Sequence, residues 1–102
     1  MTEGDARIKH TKNIARLITF MVGQGYQPMI GKDGLKHMKN SLHYEGLATD
    51  IDLYKDGVYL TKSEDHAIFG AYWKSLDPDC CWGGDFKDKD GNHYSTQFGG
   101  RQ

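Results

Sequence analysis

The clearest pattern in the chain runs from Gly46 to Tyr54, where Leu47, Thr49, Ile51 and Leu53 alternate with Ala48, Asp50, Asp52 and Tyr54. A period of two belongs to a β-strand, whose successive side chains leave on opposite faces. One face enters a core, and the other presents Asp50 and Asp52 toward a cleft. Asp56-Gly57 is a strong turn signal, so Val58 to Leu60 reads as the returning strand of a hairpin. Upstream the period is helical: Ile14, Leu17, Ile18 and Met21, widened by Ala15 and Val22, predict an amphipathic helix from about Asp5 to Val22, stopped by Gly23 and Gly25. Tyr26 to Ile30 reads as a short strand that Pro28 confines to an edge or irregular position. The lysine- and glycine-rich stretch from Gly31 to Asn40 has weak periodicity and reads as a loop with one turn of helix at most.

Thr61 and Glu64 have the spacing of a capping box and predict a second helix to about Leu76, its buried stripe made of Ile68 or Phe69 with Tyr72, Trp73 and Leu76. Asp77-Pro78 ends it. Gly83-Gly84 predicts a tight, exposed bend, Gly91-Asn92 a second turn, His93 to Phe98 a last strand and Gly99 to Gln102 a frayed, flexible tail. These elements predict an α+β fold, a small antiparallel sheet packed against helices, as a single domain over residues 1–102.

Length and charge narrow the function classes. A chain of 102 residues forms one modest core, burying roughly 60–65% of the surface its unfolded form exposes. Its 13 basic and 14 acidic residues are interspersed and give a net charge of −1, which excludes the basic face that nucleic-acid phosphates require and any steering toward anionic membranes. No apolar run approaches the roughly 18–20 residues of a membrane span. The expectation is a monomer without stable membrane binding, made in the cytoplasm with no signal peptide. Cys80 and Cys81 are adjacent, so they cannot staple distant segments; a vicinal disulfide would be strained, and reduced thiols are expected.

The chemistry gathers on His43, Asp50 and His93, with Asp90 three residues before the last. Two imidazoles and one carboxylate are the ligand count of a catalytic zinc site, which keeps one coordination position open, and the residual positive charge leaves the ion a Lewis acid. His43 lies on the loop entering the strand that carries Asp50, and His93 arrives from the other end of the domain, so removal of the ion is expected to loosen the fold. Asp90, across Gly91-Asn92 from His93, is placed to act as general base on an attacking water and then as acid toward a departing amine.

Other readings compete with this one. His10, His37 and His66 read as surface or hydrogen-bonded core residues. Asp88, Asp90 and Asn92 beside Gly91 suggest a calcium loop, but its first and last positions would be Phe86 and Gln97, which breaks the standard loop and leaves only a peripheral site through Asp85 or Asp88. Asp52 and Asp85 read as anchors for histidines or loop amides. Tyr44 and Tyr94 could donate to a developing oxyanion, with a buried aromatic role equally open.

Two motifs then suggest a family. The segment Ser41 to Asp50, S-L-H-Y-E-G-L-A-T-D, followed by W-G-G-D-F at Trp82 and D-G-N-H-Y at Asp90, resembles the zinc peptidases of the D-alanyl-D-alanine carboxypeptidase and L-alanyl-D-glutamate endopeptidase superfamily, above all its small phage endolysin-like members. The resemblance spans about Gly25 to Tyr94. It implies a DD-peptidase or hedgehog-like metallopeptidase fold, Zn2+ on His43, Asp50 and His93, Asp90 as the catalytic carboxylate, Ser41 beside the site, and Trp82 and Gly83 lining the cleft. The implied substrates are bacterial peptidoglycan stem peptides, cleaved at the L-Ala-D-Glu bond during cell-wall lysis after the enzyme is released from the host cytoplasm. One departure stands out. The family arginine between the Gly25-Tyr26 region and the serine-histidine motif is missing, and only Lys32, Lys36 and Lys39 offer cations, without its bidentate fork. That favours, as the alternative, a non-catalytic zinc-stabilised module that binds cell wall.

Overall fold

Thr2 starts the first helix because its hydroxyl accepts the Asp5 N–H while the Asp5 carboxylate accepts the Thr2 N–H, satisfying donors that a helix N-terminus leaves open. The computed structural model describes residues 1–31 and 46–102, and there helix α1 runs over Glu3–Gly23. Its buried residues, Ala6, His10, Asn13, Leu17 and Met21, follow helical spacing on one face. Gly25, at φ 89°, turns the chain into strand β1, Gln27–Ile30. Among the described residues no helix is long and apolar enough to cross a membrane.

Strand β2, Ala48–Lys55, is the spine of the sheet. Along one edge it pairs with β1, and along the other it pairs first with β5, His93–Thr96, and further on with β3, Val58–Leu60. Strand β4, Cys80–Trp82, lies beyond β5, and every pairing is antiparallel. The β2–β3 hairpin turns on Asp56 at φ 52° and Gly57 at φ 79°; two successive positive φ values match the twist of the flanking strands, which is why an Asp-Gly pair serves there. β4 was not legible beforehand, since a run as short as Cys-Cys-Trp carries no period.

The second helix starts differently from its sequence signal. Ser63–His66 forms a 3-10 turn before α2 proper, Ala67–Leu76, and the box is closed by Asp65, whose carboxylate accepts the Lys62 N–H at 3.0 Å, rather than by Thr61 and Glu64. Ile68 faces outward, while Phe69 and Trp73 are fully buried. Asp77 takes an extended conformation before Pro78 and ends the helix where expected.

Both helices cover one face of the sheet. Leu17 and Met21 of α1 and Phe69 and Trp73 of α2 meet Ile51 and Leu53 of β2, Cys80 of β4 and Tyr94 of β5. Full burial of each such side chain contributes roughly 1.5–3 kcal/mol. Trp73 also donates its indole N–H to the carbonyls of Cys81 and Ser95, at 3.0 and 3.2 Å, and so engages β4 and β5 together. His10 reaches from α1 to the hydroxyls of Thr49 and Thr96, each at 2.9 Å. Cys80 and Cys81 are free thiols, and burial pushes Cys80 up to about 12, so it stays protonated at neutral pH. Residues 99–102 turn back on the sheet: Phe98 bridges Arg101, and the Gln102 carbonyl accepts from Ser95 at 2.8 Å.

Candidate metal centre

The central pair of the site is made by strand register. Asp50 of β2 lies directly opposite His93 of β5. Side chains opposite one another in an antiparallel ladder leave on the same face, about 4.5–5.5 Å apart at Cβ. The backbone fixes this: the Ile51 N–H donates to the Asn92 carbonyl at 2.8 Å, and the Thr96 N–H to the Leu47 carbonyl at 2.8 Å. A shift of one residue would send Asp50 into the core. His93 Nδ1 and Asp50 Oδ1 stand 3.8 Å apart, too long for a hydrogen bond and close to the edge of a coordination polyhedron.

His93 is buried and oriented by its second nitrogen, which lies 3.2 Å from the Gln102 carbonyl. A carbonyl only accepts, so Nε2 carries a proton, and the other ring nitrogen, Nδ1, lies on the Asp50 side. A ligating histidine is held in this way, with the other ring N–H on a carbonyl or carboxylate.

Asp90 arrives on a tightly braced turn. The Gly83 carbonyl accepts from Asp90 and Phe86, at 2.9 and 3.1 Å, and the Asp90 carbonyl accepts from His93 at 3.1 Å. A side chain at position 83 would overlap the Asp90 carbonyl and the His93 Cβ, so only glycine allows this approach. Gly83 and Gly84 are therefore buried, not the exposed bend expected from sequence; the dipeptide is a packing contact between loop and strand. Trp82 donates its indole N–H to the Gly91 carbonyl at 2.7 Å, and Ser63 accepts the Gly91 N–H at 2.9 Å. Asp50, Asp90 and His93 are thereby gathered, with ligand atoms all within 4.8 Å of one another. His93 is buried, Asp50 half-buried and Asp90 exposed, an arrangement with one side open to solvent.

The other residues singled out from sequence fall in several places. His43 and Ser41 lie outside the described residues, as does Tyr44. Asp52 accepts from the Asn92 side-chain amide at 3.4 Å and the Tyr59 hydroxyl at 3.5 Å, so it steadies the turn before His93. Asp85 pairs with Lys74 at 2.7 Å on the surface. Trp82 braces the Asp90 turn from behind. Tyr94 is fully buried, with its hydroxyl 2.7 Å from His66 Nδ1, and belongs to the core rather than the open side of the cluster.

His66, read from sequence as a surface or hydrogen-bonded core residue, is the second of these. It sits at the end of the 3-10 turn, 3% exposed, and lines a cavity that Asp90 also lines. Burial lowers its pKa to about 4 from an ordinary 6.5, against the opposing pull of Asp65, Asp52 and Asp90. Between those values the unfolded chain takes a proton that the folded chain refuses, so stability is lost as pH falls from 6.5 toward 4. The contribution is up to roughly 3 kcal/mol. Thermal melts from pH 7.5 down to 4.5 should show a declining Tm in the parent and a shallower decline in His66→Gln; parallel curves would show that His66 does not govern the window.

No protein-family model and no curated protein matches the chain. The class therefore rests on fold and site: a mixed α+β domain, a small antiparallel sheet against helices, with an Asp-Asp-His cluster able to hold a divalent metal ion. The donor set suits such an ion, since carboxylate and imidazole are the ligands zinc takes, and the Gln102 carbonyl supplies the orientation that a ligating imidazole needs.

Proposed function

We propose that this protein is a metal-dependent hydrolase, with Asp50 and His93 as ligands of a zinc ion and Asp90 as the proton-transfer group. More particularly, it is a zinc peptidase that opens the L-Ala-D-Glu bond of peptidoglycan stem peptides in cell-wall lysis. The observation that carries the first step is the convergence of Asp50, His93 and Asp90 from β2, β5 and the turn before β5. The second step rests on the motif resemblance, in which His43 supplies the third ligand and Ser41 a neighbouring polar group.

Asp50 and His93 would hold a zinc ion whose Lewis acidity, when it is bound, would make water a better nucleophile near neutral pH and the substrate carbonyl a better electrophile. The chain's own groups do the rest. Asp90, exposed at the mouth of the cluster, accepts the proton of the attacking water and returns it to the leaving amine. Asp50 and His93, fixed across one ladder, hold their donors without reorganisation, and the Trp82–Gly91 and Ser63–Gly91 bonds keep the Asp90 turn in register with them.

Purified protein loaded with zinc should release new amino termini from peptidoglycan, lose that activity on chelation, and regain it on adding zinc back. His93→Ala should bind zinc weakly and release none. Wall binding with metal-dependent melting but no new amino termini would favour the non-catalytic module instead, the reading to which the missing arginine points.

A further inference from the structure

Beyond β5 the chain reverses sharply. The Phe98 and Arg101 backbones exchange two hydrogen bonds, 3.1 and 3.2 Å long, around Gly99 at φ 61° and Gly100 at φ 78°. Two successive positive φ values are those of a tight hairpin turn, and glycine takes them without strain. One arm of the turn is anchored, because Phe98 packs on Ala6, Leu47 and Ala48 in a small second core. The other arm carries Gln102 back to β5.

There the Gln102 main-chain oxygen meets two side chains from alternate positions of the strand, which leave on one face of the sheet. The Ser95 hydroxyl donates to it at 2.8 Å, and His93 Nε2 lies 3.2 Å from it. Ser95 is fully buried, and the other acceptor for its single O–H, the Cys81 carbonyl, is 3.5 Å away, so the bond to Gln102 dominates. An oxygen with two lone pairs accepts both donors at once. The other nitrogen of the His93 ring, Nδ1, lies 3.8 Å from Asp50 Oδ1, on the side of the cluster. A cation held at Nδ1 requires the ring proton on Nε2, which is the nitrogen that faces Gln102.

We propose that the hairpin of residues 98–102 is a working part of the metal centre, with Ser95 as a positioning residue: its hydroxyl holds the Gln102 oxygen where that oxygen fixes the proton and the plane of the His93 ring for a divalent cation. The proposal rests on the metal-site reading above and deepens it, since control of cation affinity then lies in a segment outside the Asp-Asp-His cluster.

Three variants of the full chain test it. Ser95→Ala deletes the hydroxyl. Gly100→Val disfavours the turn, and it acts through the backbone alone, since a side chain at position 100 meets nothing within 4 Å. Gly57→Val is the control: at φ 79°, with the same open space, it places the same strain in the β2–β3 hairpin. The first readout needs no metal. In the metal-free protein the His93 Nε2–H should give a slowly exchanging proton resonance by NMR; Ser95→Ala and Gly100→Val should each speed its exchange by about tenfold or more, and Gly57→Val by less than about twofold. The second is the zinc dissociation constant, measured by competition with a chelator. It should rise roughly 10–100-fold in the first two variants, the usual effect of losing an outer hydrogen-bond partner, and stay within about threefold in the control. Should Ser95→Ala fail to fold, Gly100→Val carries both readouts, because its altered position is exposed. Unchanged exchange and affinity in both variants overturn the proposal, and so does an equal response in Gly57→Val, which traces the effect to a general loss of stability. Exchange that follows the hairpin in a protein that binds no zinc sustains the positioning of His93 and sinks the metal reading; zinc bound equally by parent and variants does the reverse.

Discussion

Asp90→Asn should keep the fold and the bound zinc while peptide hydrolysis falls by about 10²–10⁴-fold, the usual worth of a positioned general acid–base group. Asparagine preserves the shape of the side chain and removes its ability to take a proton. The backbone bonds that brace the turn, from Asp90 to the Gly83 carbonyl and from His93 to the Asp90 carbonyl, do not involve the carboxylate and survive the change. Zinc content by elemental analysis beside the hydrolysis rate separates the roles, because Asp90 also stands close enough to Asp50 and His93 to serve as a ligand. Zinc retained with activity lost identifies a proton carrier. Zinc lost together with activity would make Asp90 a ligand and overturn its assignment as base.

Trp73→Ala is expected to be the most damaging single change to stability, by about 3–5 kcal/mol. The ring is fully buried and packs edge-on against His10 and Tyr94, with centroids 5.6 and 5.9 Å away. Its removal leaves a void at the centre of the core and deprives the carbonyls of Cys81 and Ser95 of a donor. For a domain of this size the Tm should drop by about 15–30 °C. Because Trp73 engages β4 and β5 together, the loss should reach the β5 ladder that presents His93, so zinc affinity should weaken as well. A melting curve within a few degrees of the parent would refute this account of the core.

Much of this was readable in the residues, for physical reasons that differ from element to element. The alternation in β2 was strong because one face is core and the other is site, so a strand of period two has no competing register; the pairing of Asp50 with His93 then brings distant positions together. The Asp-Gly hairpin was equally plain, since few residues accept positive φ in succession. The start of the second helix was misread because Thr61, Lys62, Glu64 and Asp65 offer overlapping caps, and only the packing of the Ser63 turn against Gly91 selects among them. Gly83-Gly84 looked like an exposed bend because composition cannot separate a glycine needed for a turn from one needed for close approach. For His66 the residues support only the choice between surface and hydrogen-bonded core; its burial and its partner come from Tyr94, 28 positions further on. His43 and Ser41 fall outside the described residues, so their part in the site stays with the motif that suggested it.

Because Asp50 and His93 face each other across a backbone-bonded ladder, the geometry that an incoming cation meets is set when the sheet closes, before any ion is present. The conformational entropy of aligning these donors is thus a cost of folding and not of capture, which favours tight, rapid binding. Rigidity of that kind also discriminates: a cation whose preferred bond lengths differ from those the ladder dictates cannot bend the strands to suit itself.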